Sequence, residues 1–184
     1  MYRSLRRTVP VLVVALSLSA LAAACTPAGP ARTTTVASVD VARYAGTWYE
    51  VASVKQFFSL GLVDTKAEYS LLPDGSIKVV NTGRYFTKDG LLSTITGTAV
   101  PVDASNARLN VSFTGSNSSQ PPGNYWIVDL DPDYQWAIVS DPTGLSCFLL
   151  SRTAIVSPEL RVDLLARAAA KGVDISNVTE TPQP

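Results

Sequence analysis

Glu50 is the residue of this chain whose setting most resembles that of a working acid. In Gly46-Thr47-Trp48-Tyr49-Glu50 it follows Trp48 by two positions, so strand alternation turns both side chains to one face. An inward carboxylate among apolar groups is costly unless bonded. It therefore either accepts hydrogen bonds from neighbouring strands or a tyrosine hydroxyl, or it acts as a general acid. No second carboxylate stands at hydrolase spacing from it. The sequence holds no histidine, which removes Ser-His-Asp and Cys-His mechanisms and most zinc and haem sites. A Gly-x-Ser-x-Gly elbow, a phosphate loop and a dinucleotide fingerprint are missing too. Neither a metal nor a cofactor is expected.

The two cysteines have different prospects. Cys25 ends an uncharged run, Val9 to Ala24, that follows the basic Arg3, Arg6 and Arg7 and closes with Leu21-Ala22-Ala23-Ala24. That pattern predicts a secretory signal over residues 1–24. A cysteine there suggests a bacterial lipobox with Cys25 as the acylated first residue, although Leu21 stands four positions before it where three is usual; plain secretion is the alternative. Acyl chains would anchor the protein, each buried CH₂ contributing about 0.8 kcal/mol. The expected address is the bacterial cell envelope: the outer membrane if the cell has one, otherwise the cell membrane. Residues 25–39, with Pro27, Pro30 and Thr33-Thr34-Thr35, then read as a lipidated start and flexible tether. Cys147 alternates out of phase with Phe148, so it is expected to face away from any interior, and a lone thiol cannot staple its own chain.

Three of the 15 basic residues leave with that leader, so 12 remain against 15 acidic ones. No basic patch is left, which argues against a nucleic-acid partner.

The elements that must position these groups are short. Apolar residues alternate with polar ones over Thr47 to Val54, Thr65 to Leu72, Ile77 onward, Leu91 to Val100, Ala107 to Thr114, Tyr125 to Leu130, Tyr134 to Ser140 and Leu145 to Arg152. Turn chemistry separates them, as in Pro73-Asp74-Gly75 and Lys88-Asp89-Gly90. Eight strands with short turns predict an all-β fold, an eight-stranded antiparallel up-and-down β-barrel, in one domain over residues 40–184. Ser157 as N-cap, Pro158 at N1 and the stripe Leu160, Leu164, Leu165, Ala168, Ala169 predict one C-terminal helix packed outside the barrel. Trp136 and Ile138, on the outward parity of a strand apolar on both faces, are its expected dock. Ile175 to Thr179 reads as a short ninth strand before a loose tail.

Gly46-Thr47-Trp48, Asp133-Tyr134 and Arg152 after Leu149-Leu150-Ser151 occur in the order of a three-part signature. On them the chain resembles the lipocalin family, similar to its bacterial lipoprotein and apolipoprotein D branches, over about residues 40–180. The resemblance implies Arg152 laid across the Trp48 ring at the closed end, a cation–π contact of about 0.5–2 kcal/mol. Many animal lipocalins carry disulfides, and this chain departs from them.

Parity then predicts the interior. With Trp48 and Arg152 inward, Glu50, Ser146 and Phe148 follow, joined by Ala67, Tyr69, Leu71, Ile77, Val79, Ile95, Ala99, Leu109, Val111 and Phe113. The resemblance adds Tyr85, Tyr125 and Val139. The expected ligand site is Tyr69, Val79, Tyr85, Val111, Tyr125, Val139 and Phe148, with Phe57 of the Lys55 to Leu60 loop at the mouth. Phe57 and Phe58 read as a lid, as a membrane-touching tip, or as part of the rim packed back. The implied function is a non-catalytic, membrane-anchored carrier of a fatty acid such as palmitate, or of a lysophospholipid. The rivals are a lipid-modifying enzyme using Glu50 and an interaction module with a filled barrel; a homodimer sharing the mouth also remains open.

Overall fold

Strands apolar on one face need a partner surface, and a chain of hairpins can supply it by curling on itself. A computed structural model describes residues 33–184; the leader, Cys25 and the tether up to residue 32 lie outside the described residues. The strands are β1 (Gly46–Val54), β2 (Leu62–Leu71), β3 (Ile77–Tyr85), β4 (Leu92–Pro101), β5 (Arg108–Ser112), β6 (Tyr125–Leu130), β7 (Trp136–Ser140), β8 (Phe148–Ser151) and β9 (Val178–Glu180). Their order is β2-β3-β4-β5-β6-β7-β8-β1-β9, and an added β1–β2 pairing closes the first eight into a barrel. All neighbours are antiparallel.

Two helices frame the barrel. A short α1 (Val41–Tyr44), capped by the Asp40 carboxylate on the N–H groups of Ala42 and Arg43, leads into β1 and was not expected from the sequence. The expected outer helix is α2 (Pro158–Ala170), where Ser157 accepts a hydrogen bond from the Leu160 N–H. Its Leu164 and Ala168 pack on Trp126, Val128, Ile138, Cys147 and Leu149, with Trp136 beside them. That contact explains why β7 is apolar on both faces. Cys147 is fully buried there, and burial pushes its thiol up to about 12.

Two expectations about the ends are corrected. Residues 33–39 are not a free tether: Thr33 Oγ1 donates to the Asp141 carbonyl, the Val36 N–H to Ile127, and the Val39 N–H to Ser105. The tail is not loose either. Thr181 is buried, its N–H donates to the Val51 carbonyl, and the Asp64 N–H donates to Pro182. Gln183 Nε2 then bridges the carbonyls of Glu50 and Thr65, at 2.8 and 3.0 Å. Backbone partners scattered through the fold hold both segments, and no local pattern announces such bonds.

The closed end is built around Trp48 and Arg152. The guanidinium carbon lies 3.9 Å from the Trp48 ring centroid. Its nitrogens donate to the carbonyls of Thr47, Arg43, Tyr44 and Tyr134. The indole N–H donates to Tyr44, 2.8 Å away. Gly46 has φ +94, a left-handed conformation that suits glycine, and the Arg152 guanidinium lies 3.4 Å from where a Cβ would stand. Tyr134 completes the floor: its hydroxyl accepts from the Asp40 N–H, and the Arg43 guanidinium covers its ring. Asp133 serves through its backbone, donating to Asp131 and accepting from Gln135.

Trp48→Ala should lower stability by about 3–5 kcal/mol in urea unfolding. Arg152→Lys, which keeps the charge but not the planar fork, should lower it by a smaller, measurable amount. An unchanged midpoint in either variant would contradict this account of the floor.

Candidate functional site

The barrel encloses a cavity of about 480 Å³, open at the end away from Trp48. Its size lies in the range of small-molecule pockets. Hydrocarbon and rings form most of the wall: Ala67 and Tyr69 from β2, Val79 from β3, Val111 from β5, Tyr125 from β6, Phe148 and Leu150 from β8, and Phe113 after β5. Polar groups gather toward the mouth, namely Gln56, Thr65, Lys66, Asn81, Asn124, Asp141 and Ser146.

Of the expected ligand residues, Tyr69, Val79, Val111, Tyr125 and Phe148 stand together on this wall. Three do not. Val139 is buried in the core, paired with Phe148, and is not part of the cavity wall. Tyr85 has the inward parity but sits at the end of β3, 39% exposed and away from the cavity wall. Phe57 stands outside, 87% exposed, while its neighbour Phe58 lines the cavity. Ile95 and Leu71 are also more exposed than their alternation suggests, because parity chooses a face of the sheet but not a height in the barrel.

Glu50 lines the cavity and is bonded three times. One oxygen accepts from Ser53 Oγ at 2.9 Å, from Lys55 Nζ at 2.5 Å and from Thr181 Oγ1 at 2.5 Å. No tyrosine hydroxyl takes part. The register of β1 against β8 shifts between Glu50 and Ala52, a bulge that turns Ser53 inward with Glu50 and sends Ala52 to the helix side. Simple alternation could not foresee Ser53, Lys55 or Thr181. Removing Lys55 would leave a buried charge uncompensated, and the crowding of donors suits a structural carboxylate.

The deepest polar groups are phenols. Tyr44 and Tyr125 hydroxyls are 2.8 Å apart, and those of Tyr69 and Tyr125 are 3.1 Å apart. Tyr44 stacks at 5.0 Å on Trp48 and at 5.6 Å on Tyr69, which ties this string to the floor. Burial pushes the Tyr69 hydroxyl up to about 12 and raises those of Tyr44 and Tyr125 well above the ordinary phenol value. All three are neutral donors at ordinary pH. Among the described residues, no group of three His, Cys, Asp or Glu side chains is placed to hold a metal ion.

A Gly-x-Trp strand under a stacked arginine, at the closed floor of an eight-stranded barrel with an outer helix, is a family arrangement. Residues 39–183 match the family model described as a lipocalin-like domain. The chain belongs to the lipocalin family. This lipocalin is 35% identical to the outer membrane lipoprotein Blc of Escherichia coli K12, across 97% of this chain and 98% of that protein. It is 38% identical to temperature-induced lipocalin-1 of Arabidopsis thaliana, across 80% and 81%. Mouse apolipoprotein D is 30% identical, across 78% and 77%. Among solved structures, lobster apocrustacyanin A1 superposes with a TM-score of 0.58 at 22% identity, covering 78% of this chain and 79% of that one, a likeness of fold.

The buried phenols give the lipocalin a pH signature. A group whose folded pKa lies above its unfolded value stabilises fully below the unfolded value, about 10 for tyrosine. That stability is lost as pH rises toward the folded value, about 12 for Tyr69. Urea midpoints should therefore stay level to about pH 9 and fall above about pH 10. In Tyr69→Phe the fall should be shallower; an identical fall would contradict the assignment.

Proposed function

We propose that this lipocalin carries a small hydrophobic ligand, a fatty acid or lysophospholipid, inside the barrel, and does so while anchored to the cell envelope through an acylated Cys25. One observation carries the first part: the inner wall is hydrocarbon and aromatic around a hollow open at one end. Each methylene moved from water into such a wall contributes about 0.8 kcal/mol. One carbon more or less changes little, so discrimination between chain lengths is weak. The polar mouth leaves a head group in water.

The anchor is supported by the leader pattern ending at Cys25. The Escherichia coli relative, an outer membrane lipoprotein, aligns across 97% of this chain, so the similarity reaches back into that leader. Around the mouth, Phe57, Phe58, Leu60, Phe86 and Leu91 are exposed on the loops after β1 and β3, with Leu92 at the start of β4. An apolar rim of this kind suits a protein that takes its cargo from a lipid surface.

Catalysis is not part of this reading. Glu50 is held by Ser53, Lys55 and Thr181, and burial keeps the cavity tyrosines protonated. The filled-barrel alternative has against it the 480 Å³ hollow.

Native mass spectrometry of protein purified without detergent should reveal a bound lipid-sized mass that organic extraction removes; a bare protein in every preparation would oppose carriage. Phe148→Asp puts a charge on the wall. It should weaken displacement of a fluorescent fatty acid by at least tenfold, about 1.4 kcal/mol, while the urea midpoint shows the barrel still folded. Unchanged affinity would remove Phe148 from the pocket.

A further inference from the structure

The hydroxyls of Tyr44, Tyr125 and Tyr69 form a string with Tyr125 in the middle. Three phenols carry three protons, and the string uses two of them. No other partner is made by these hydroxyls among the described residues, so one proton is left over. Its position follows from burial. Tyr44 lies beneath the cavity against Trp48 and does not line the hollow, whereas Tyr69 and Tyr125 do. A spare proton on Tyr44 would be a buried donor without an acceptor, at a cost of about 1–3 kcal/mol. The favoured arrangement has Tyr44 donating to Tyr125, and the spare O–H, on Tyr125 or Tyr69, pointing into the hollow.

We propose that the inner end of the cavity is a hydrogen-bonding subsite, built from the Tyr69 and Tyr125 hydroxyls and backed by Tyr44, which takes a neutral oxygen at the buried end of an otherwise apolar ligand. The inference rests on the carriage reading above and narrows its ligand class. The acceptor is a keto or hydroxyl oxygen, not a carboxylate. An anion there would be stripped of water without a counter-charge: Arg152 lies across Trp48 with its donors on four carbonyls, Lys55 is committed to Glu50 and Thr181, and Lys66 is an exposed residue nearer the mouth than Tyr69.

The hollow thus has polar groups at both ends. Along β2 and β3, Thr65 and Asn81 lie nearer the mouth than Tyr69 and Val79, and each has a buried side-chain oxygen with no hydrogen-bond partner. Between the two ends the wall is hydrocarbon. A ligand with a polar head at the mouth, an apolar body and one oxygen at its inner end satisfies both. A plain alkyl end leaves the phenol proton unpaired.

The test compares palmitic acid with 16-hydroxypalmitic acid as displacers of one fluorescent fatty acid. Wild type, Tyr125→Phe and Tyr69→Phe are titrated, and palmitic acid reports whether each variant still has its pocket. Wild type should bind the hydroxylated acid at least as tightly as the plain one, although its hydroxyl must leave water. In Tyr125→Phe, and in Tyr69→Phe to a lesser degree, the affinity for the hydroxylated acid relative to palmitic acid should fall by about tenfold, whatever the substitution does to palmitic acid itself. An affinity ratio constant to within about twofold across the three proteins, with palmitic acid bound by all, would overturn the subsite and leave carriage standing. Failure of both acids to displace the probe from wild type would overturn carriage and the subsite together.

Discussion

The guanidinium of Arg152 over the Trp48 ring is the contact on which the rest of the barrel depends. A sheet that closes must still seal one end, or the hollow becomes a channel through which water solvates the wall. Arg152 does this with a flat cation that stacks on the indole and hands its N–H groups to carbonyls of Arg43, Tyr44, Thr47 and Tyr134. Three separate pieces of chain, the α1 segment, the start of β1 and the β6–β7 corner, are drawn to one side chain from β8's end. A lysine has the charge but neither the plane nor the fork.

The same floor orients the interior. Trp48 presents a surface on which Tyr44 stacks, and Tyr44 in turn fixes the height of the Tyr125 and Tyr69 hydroxyls. Below that level side chains meet and fill the barrel, as Val39, Tyr44 and Trp48 do. Above it they stop short of one another. The boundary between core and cavity is therefore set by where large rings stand on the floor, a matter of volume and height that hydrophobicity alone does not encode.

The other end is governed by a departure from regularity. At the bulge between Glu50 and Ala52, β1 leaves its pairing with β2 and takes β9 and the tail as neighbours. Glu50, Ser53, Lys55, Thr181 and the Gln183 amide meet at that junction. Backbone groups that closure would orphan are satisfied by a segment arriving more than a hundred residues later. A carboxylate that looks like a catalytic acid in the sequence becomes a clamp for the chain's own end.

Much was determined by the residue order alone. Period-two alternation with turn residues between runs specified eight strands, and Ser157-Pro158 with its apolar stripe specified α2, because both signals are local and act over a few residues. Trp48, Tyr134 and Arg152 were legible as a set because each is a distinctive residue in a distinctive place. Which inward residues border the hollow was decided only by the tertiary structure. Tyr69, Val79, Val111, Tyr125 and Phe148 do, whereas Val139 and Tyr85 share their parity and do not. Alternation carries one bit per residue, inside or outside; depth within a closed barrel depends on strand stagger, a bulge and the bulk of residues on other strands. The partners of Glu50 and the spare phenol proton belong to that second kind, since they arise from side chains brought together over distances the sequence does not display.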